Sequence, residues 1–224
     1  MLLVHGLGGS GNTWWRVADQ LAYHGVRVVA PDLRGHGNAP RTITYRIVDH
    51  ATDLLALGSG WDLVVGHSLA GPITATAATT SGYTNGLLLL DPVFDIDDAS
   101  MPQVISEQIA ELDVGARELI DAHPAWHQED ADLKAQASRS TSPTVVEQCL
   151  TDSGPWHHLQ LLTHDALPPT QILAADPAVG TMFPPHHAPR SSDRVSYAAL
   201  PGIGHGIHRE APDQVIHEIT VRLS

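Results

Sequence analysis

Short apolar runs alternate with stretches of helical periodicity along most of this chain, and no other feature of the sequence constrains the fold as strongly. The runs are MLLV (1–4), VRVVAPDL (26–33), WDLVVG (61–66), GLLLLD (86–91), TQILAAD (170–176) and RVSYAAL (194–200). They are typical of strands that are buried on both faces, and turn-forming residues bound them. This alternation predicts an α/β fold, with a mainly parallel sheet and helices on both faces.

Stretches with helical periodicity lie between these runs, at residues 13–24, 43–57, 69–80 and 211–222. From residue 93 to 165 the strand pattern stops, and helical pieces are interrupted by prolines. We therefore expect a core formed by residues 1–92 and 166–224, with a helical cap of residues 93–165 inserted over the carboxyl edge of the sheet. The length of 224 residues fits a single domain of this kind.

The composition excludes several classes of protein. Hydrophobic residues make up 42% of the chain and charged residues 17%, as in globular rather than disordered proteins. The net charge of −13 argues against a nucleic-acid surface, which needs clustered Lys and Arg. No apolar run approaches the roughly 20 residues of a membrane span. Cys149 is the only cysteine and the first residues lack signal-peptide features, so we expect a cytoplasmic protein.

Residues capable of chemistry follow the predicted strands at the points where the strands end. They are HGLG (5–8), Asp32, Ser68, Asp91, Asp176 and His205. Because ligands of a parallel sheet bind beyond the carboxyl ends of its strands, we expect these residues at one edge. A serine hydroxyl becomes a nucleophile when an imidazole accepts its proton and a carboxylate orients that imidazole. The set therefore predicts nucleophilic catalysis by Ser68.

The turns at Ser68 and at residues 5–8 also suit the stabilisation of an oxyanion. Ser68 lies between a strand and a helix, so the backbone N–H of Leu69 is at the start of that helix, where negative charge is favoured. The glycine-rich turn after the first strand offers the N–H of Leu7 as a second donor. Leu7 and Leu69 are therefore the predicted oxyanion donors.

Five segments of the chain carry motifs in a characteristic order. They are HGLGGSGNTWW (5–15), APDLRGHGNAP (30–40), GHSLAG (66–71), ILAADP (172–177) and LPGIGHGIHREAP (200–212). They resemble the oxyanion loop, glycine-rich turn, nucleophile elbow, acid loop and histidine segment of the α/β-hydrolase family, and the resemblance covers nearly the whole chain. It implies an α/β-hydrolase fold in which Ser68 is the nucleophile, His205 the general base and acid, and Asp176 the acid that orients His205.

Two features depart from the pattern of that family. Ala70 stands where the nucleophile motif usually has its second glycine, which we interpret as a packing variation. The chain also begins at the strand of the oxyanion loop, so the first family strands are missing and the cap follows the sixth family strand. The sequence is then either truncated or a reduced sheet, whose exposed edge would be an aggregation liability or the surface of a homodimer.

Three of the catalytic assignments have alternatives. A serine before a helix is often only an N-cap, and His205 is one of 15 histidines, but the positions of both after strands favour catalysis. Asp91 is the alternative acid, because it too ends a strand and precedes a proline. Asp176 is favoured over Asp91, and Asp32 is interpreted as structural.

Aromatic residues and histidines supply the candidate pocket. His67, Trp126 and Trp156 are its predicted members, since aromatic side chains on a cap suit contact with an apolar substrate. The histidine pairs at 157–158 and 186–187 and the pair His205 and His208 lack the spacing of a metal motif. No metal site is therefore predicted.

Together these features predict a cofactor-independent serine hydrolase of the carboxylesterase type. It would cleave an apolar small-molecule ester or lactone through an acyl-enzyme intermediate. A C–C bond hydrolase and a perhydrolase of haloperoxidase type are alternatives that use the same triad. A hydrolase-like ligand sensor, in which turnover is vestigial, is the alternative from another class of protein.

Overall fold

Five parallel strands form the centre of the molecule. In the computed structural model, which describes residues 1–189 and 192–223, these strands lie side by side in chain order. They are β1 Leu2–Val4, β2 Val64–His67, β3 Leu87–Leu90, β4 Thr170–Ala174 and β5 Val195–Ala199. Every neighbouring pair is parallel, and Val65 of β2 lies between Leu3 of β1 and Leu88 of β3. The predicted parallel sheet is confirmed.

Helices connect these strands and lie on both faces of the sheet. They are α1 Trp15–Tyr23, α2 Ile47–Ala56, α3 Ala70–Ala78, α4 Met101–Ala110, α5 Ala116–Ala122, α6 Gln128–Arg139, α7 Pro143–Thr151, α8 Ile207–Glu210 and α9 Pro212–Leu223. Short 3₁₀ helices lie at Gly11–Trp14, Glu111–Asp113, Leu159–Thr163 and Pro185–His187. No helix within the two described ranges is long and apolar enough to cross a bilayer.

Each face of the sheet has its own apolar core, because alternate strand residues point to opposite sides. One core joins strand residues such as Leu87, Leu89 and Ile172 to side chains of α2, α3 and α7. The other joins Val65, Leu88 and Leu90 to side chains of α1 and α9. Coverage of both faces explains why β3 is a continuous run of four leucines.

One predicted strand is reduced to a single pairing. Of the run at residues 26–33, only Val29 forms a parallel bridge with β1, and its carbonyl accepts a hydrogen bond from the Leu3 N–H (2.9 Å). Pro31 has no N–H to donate, so the ladder does not continue past it. This segment nonetheless occupies the outer edge of β1 at that point.

The helix predicted over residues 43–57 is α2 and is shorter than its apolar pattern indicates. It begins at Ile47, because the Asp49 carboxylate accepts the backbone N–H of Arg46 (3.2 Å) and closes the first turn. Ile43 lies outside the helix and is exposed. Its apolar side chain therefore does not contribute to the buried face of α2.

The segment between β3 and β4 contains helices α4 to α7, in agreement with the predicted helical insertion. The segment returns to the core through Trp156, which is fully buried. The Trp156 indole donates to the Val93 carbonyl (2.9 Å), and the Trp156 carbonyl accepts the N–H of Ile96 (2.9 Å). The division into a core and a cap of residues 93–165 stays a prediction.

We expect Leu89→Ala, in the centre of β3, to lower the free energy of unfolding by about 2–5 kcal/mol, because it leaves a cavity in a core with no exposure to solvent. Leu57→Ala, at a half-exposed position after α2, is the matched control and should cost less than about 1 kcal/mol. Urea denaturation followed by circular dichroism measures both values. Equal costs would contradict the packing described for β3.

Candidate functional site

Ser68 lies on a sharp turn between β2 and α3. Its φ angle is +57°, a left-handed conformation that costs an ordinary residue about 1–3 kcal/mol. Close packing enforces this turn, because a Cβ at Gly66 would lie 2.7 Å from Thr74 Oγ1. A Cβ at Gly6 would lie 2.8 Å from the Ser68 Cβ. The loop of residues 5–8, which we call the oxyanion loop, therefore passes directly beside the serine.

Ala70 fits this turn, as the interpretation of a packing variation requires. It is fully buried as the first residue of α3. The close approach that demands glycine occurs one residue later, where a Cβ at Gly71 would lie 2.4 Å from Pro92 Cβ. The methyl group of Ala70 therefore leaves the position of Ser68 intact.

Hydrogen bonds join Ser68, His205 and Asp91 in a row. His205 Nε2 lies 3.0 Å from Ser68 Oγ, and His205 Nδ1 lies 2.7 Å from Asp91 Oδ2. An ionised carboxylate can only accept, so Nδ1 carries the proton and donates to Asp91. Nε2 is then free to accept the proton of the Ser68 hydroxyl. This is the arrangement that activates a serine.

Asp91 is fully buried and has several hydrogen-bond donors around it. Besides His205, these are the backbone N–H groups of Ala175 (3.1 Å), Met182 (2.9 Å) and Phe183 (3.3 Å) and the Thr181 hydroxyl (2.5 Å). Burial opposes ionisation, but the bonds from His205, Thr181 and Met182 outweigh it, so the pKa of Asp91 lies below its ordinary value. Asp91 is therefore an ionised partner for His205.

The prediction that Asp176 orients His205 is wrong, because His205 contacts a different carboxylate. Asp176 is partly exposed, and its carboxylate accepts the backbone N–H groups of Gly202 (2.7 Å) and Ala178 (2.8 Å). Those two bonds hold the turns after β4 and β5 and lower the pKa of Asp176. The Nδ1 of His205 is occupied by Asp91, the alternative acid, which ends the strand directly beside β2.

Both predicted oxyanion donors lie in suitable positions. Leu69 immediately precedes α3, and Leu7 belongs to the oxyanion loop beside Ser68. Within the described part of the chain, neither backbone N–H has an acceptor. His5 fixes the base of the loop, since its Nε2 accepts the N–H of Leu33 (3.0 Å) and burial lowers its pKa to about 4. The oxyanion role itself stays a prediction.

A layer of buried rings lies behind His205. The ring of His67 lies 4.7 Å from those of His205 and His208, and His208 stacks on Trp14 at 4.3 Å between centroids. His67 Nε2 lies 2.9 Å from the His205 carbonyl oxygen. Burial holds the pKa values of His67 and His208 well below their ordinary value, so both rings are neutral. His67 thus supports the backbone of His205 as an N–H donor.

The two candidate tryptophans have different positions. Trp156 packs in the core, where its indole donates to the Val93 carbonyl. Trp126 lies over the segment that follows His205: a Cβ at Gly206 would lie 3.1 Å from the Trp126 ring. The assignment of both tryptophans to the pocket stays a prediction.

Lys134 is a site residue that the sequence motifs did not indicate. It lies on α6 of the insertion, and its ammonium group donates to the carbonyl of Gly8 in the oxyanion loop (3.1 Å). The signal available in the sequence is that Lys134 is the only lysine of the chain. Its contact with the loop depends on how the insertion folds over the core.

The remaining histidine pairs form no metal-binding cluster within the described residues. Among residues 1–189 and 192–223, no group of three or more His, Cys, Asp or Glu side chains could hold a metal ion. His157 instead forms a hydrogen bond with Asp95 (2.7 Å), which raises the pKa of His157. This pair lies on the surface.

A protein-family model and a curated protein both match parts of this chain. A model of the alpha/beta hydrolase family matches residues 1–218. Lipase LipV of Mycobacterium tuberculosis is 33% identical over 118 residues, which cover 50% of this chain and 44% of that lipase. The match thus spans less than half the length of that curated relative.

Two solved structures share the fold over nearly the whole chain. A hydrolase from Oleispira antarctica superposes with a TM-score of 0.79 at 18% identity, covering 99% of this chain and 89% of that one. Bromoperoxidase from Bacillus anthracis superposes with a TM-score of 0.78 at 20% identity, covering 99% and 90%. At such low identity these likenesses describe the fold alone.

We expect the buried histidines to make folding stability depend on pH. Burial lowers the pKa of His5 to about 4 and of His36 and His50 to about 3, and those of His67 and His208 are also lowered. As pH falls below the ordinary value of about 6.5, the unfolded chain takes up protons before the folded one. The free energy of unfolding therefore falls, by about 2 kcal/mol per such histidine between pH 7 and pH 5.

His208→Phe tests this dependence, because both ring nitrogens of His208 are buried without a partner in the described structure. Phenylalanine keeps the stacking on Trp14 and removes one titrating group. The loss of stability between pH 7 and pH 5, measured by urea denaturation, should be about 2 kcal/mol smaller than in the wild type. His24→Phe, at an exposed position, should leave the loss unchanged. An undiminished loss in His208→Phe would contradict a neutral buried ring.

Proposed function

Because the chain belongs to the alpha/beta hydrolase family, we propose that it is a cofactor-independent serine hydrolase that cleaves a carboxylic ester or a lactone. The observation that carries this proposal is the row of hydrogen bonds from Ser68 through His205 to Asp91. The 33% identity to a lipase over half of the chain supports an ester as the substrate. The proposal replaces Asp176 with Asp91 as the acid.

In the proposed reaction, Ser68 Oγ attacks the carbonyl carbon of the substrate while His205 Nε2 takes the hydroxyl proton. The imidazolium that forms is stabilised by the Asp91 carboxylate. The carbonyl oxygen becomes an oxyanion, which the N–H groups of Leu7 and Leu69 bind. His205 then gives its proton to the departing alcohol oxygen, and an acyl group stays on Ser68.

The second half of the reaction regenerates the enzyme. A water molecule gives a proton to His205 Nε2 and attacks the acyl carbon through the same oxyanion pocket. The bond to Ser68 Oγ breaks, Ser68 recovers its proton from His205, and the acid product leaves. For a lactone, the departing alcohol is part of the same molecule, so one hydroxy acid is released.

We expect Ser68→Ala to lower the hydrolysis of nitrophenyl acetate or butyrate by at least about 10³-fold, because no other group would accept the acyl chain. A fluorophosphonate probe should label wild-type protein at Ser68, as determined by peptide mass spectrometry. Ser100→Ala is the matched control at an exposed serine and should keep both properties. Folded wild-type protein without labelling at Ser68 would exclude a serine hydrolase, and binding with at most one turnover would favour the ligand sensor.

The two candidate acids are separated by their asparagine variants. Asp91→Asn should lower kcat by about 10³–10⁴-fold, because a neutral amide no longer stabilises the imidazolium or fixes its tautomer. Asp176→Asn should keep kcat within about tenfold of wild type, since its carboxylate only holds turns after β4 and β5. Steady-state kinetics on one nitrophenyl ester, with thermal unfolding as a folding check, gives the comparison. The reverse order of the two effects would restore Asp176 as the acid.

A further inference from the structure

Two cations, one partly buried and one buried, lie where α6 and Trp126 meet the core, and neither forms an ion pair with a residue of ranges 1–189 and 192–223. The first is Lys134, whose ammonium group donates to the Gly8 carbonyl (3.1 Å) and the Ser138 hydroxyl (2.9 Å). Both of these partners are neutral. Burial lowers the pKa of Lys134 to about 8, and the nearby charge of Arg209 contributes to the same shift. The ammonium group therefore lacks a compensating negative charge in direct contact.

The second cation is Arg209 of α8, which is only 6% exposed. Its guanidinium lies 4.8 Å from the centre of the Trp126 ring. Its Nε is buried without a hydrogen-bond partner, and in the described part of the chain no acceptor is recorded for the rest of the guanidinium. Burial lowers its pKa to about 10. Contact with an aromatic face leaves the N–H donors at the edge of the guanidinium plane unused.

The acidic groups nearest to these cations are engaged elsewhere. The Asp130 carboxylate accepts the Trp15 indole (2.8 Å) and the backbone N–H of His127 (3.1 Å). The Glu210 carboxylate accepts the N–H of Gly204 (2.7 Å). Both attract Arg209 at longer range, as does Glu111, but none approaches it closely enough for an ion pair. An unpaired buried charge is costly, and a bound anion would offset that cost.

Both cations lie close to residues that adjoin the proposed catalytic groups in the chain. Lys134 is bonded to Gly8, the residue after the predicted oxyanion donor Leu7. Arg209 lies on Trp126, whose ring packs against Gly206, the residue after His205. The two cations thus lie beside the segments that carry Leu7 and His205.

A basic groove adjoins this region despite the net charge of −13. The groove has a volume of about 480 Å³, and Arg41 and Arg139 line it together with Leu112 and Asp113. Leu112 also reaches the oxyanion loop, since its Cδ2 would lie 3.7 Å from a Cβ at Gly8. Local positive charge of this kind counteracts the repulsion of an anion by the protein as a whole.

We propose that Lys134 and Arg209 bind a carboxylate of the substrate, so that the preferred ester or lactone carries a free carboxylate group. This inference rests on the proposed function and narrows the substrate class of the same site. It replaces the expectation of a wholly apolar substrate. Arg209 supplies directed N–H donors and Lys134 a point charge, which together favour a carboxylate over a neutral isostere.

Binding without turnover is the first test. In the Ser68→Ala background, glutarate should bind, and neutral glutaramide should bind at least about tenfold more weakly, as measured by isothermal titration calorimetry. Adding Lys134→Met or Arg209→Met should weaken glutarate binding at least about tenfold. Arg117→Met, at an exposed arginine, is the matched control for removal of one positive charge. The proposal would be overturned if glutarate and glutaramide bound equally, or if Lys134→Met, Arg209→Met and Arg117→Met weakened glutarate binding equally.

The second test compares the turnover of two substrates. One is the mono-nitrophenyl ester of glutaric acid, which carries a free carboxylate, and the other is the neutral diester in which a methyl group blocks that carboxylate. The wild type should prefer the acidic ester at least about tenfold in kcat/KM, and the preference should disappear in Lys134→Met and be partly kept in Lys134→Arg. If both esters are cleaved equally and glutarate does not bind, the carboxylate inference fails while the hydrolase stands. If glutarate binds through Lys134 and Arg209 but neither ester is cleaved, the proposed hydrolysis fails while the carboxylate site stands.

Discussion

The buried carboxylate of Asp91 is the group on which the arrangement of the site depends. A charge without exposure to solvent costs several kcal/mol unless hydrogen-bond donors surround it. Here the donors come from the chain after β4 and from His205 after β5. The hydrogen bonds to the Asp91 carboxylate therefore fix the positions of two separate segments against the end of β3. The same requirement that stabilises Asp91 brings His205 to Ser68.

Ser68 and Asp91 lie on strained turns, and hydrogen bonds between the two segments stabilise both turns. They are the two residues other than glycine with positive φ in the described structure, at +57° and +38°. The Ser68 N–H donates to the Leu90 carbonyl (3.1 Å), and the Ser68 carbonyl accepts the N–H of Val93 (3.1 Å). The pairing of β2 with β3 thus continues beyond the strands, and neither turn can relax without breaking it. Strain at adjacent strand ends is stable because the surrounding sheet determines both conformations.

Local patterns predicted the strands and the positions of Ser68 and His205, because consecutive residues determine a buried strand and the turn that follows it. The choice of acid failed for a reason that is not local. Asp91 and Asp176 both end strands and both precede proline, so their sequence contexts are alike. The two carboxylates differ in their three-dimensional surroundings. Five donors from positions distant in the sequence, His205 among them, surround Asp91. The contacts of Trp156 with Val93 and of Lys134 with Gly8 depend likewise on how the insertion folds over the core.

The direct surroundings of His205 are a buried carboxylate and neutral rings. His67 and His208 lie behind it, and their burial keeps them neutral. If either ring were cationic, it would oppose a positive charge on His205 at about 4.7 Å, the distance between the His67 and His205 centroids. The Asp91 carboxylate is then the charge in direct contact with His205. Lys134 contacts Gly8 and Arg209 lies over the Trp126 ring, so the direct contacts of both cations are with groups other than His205.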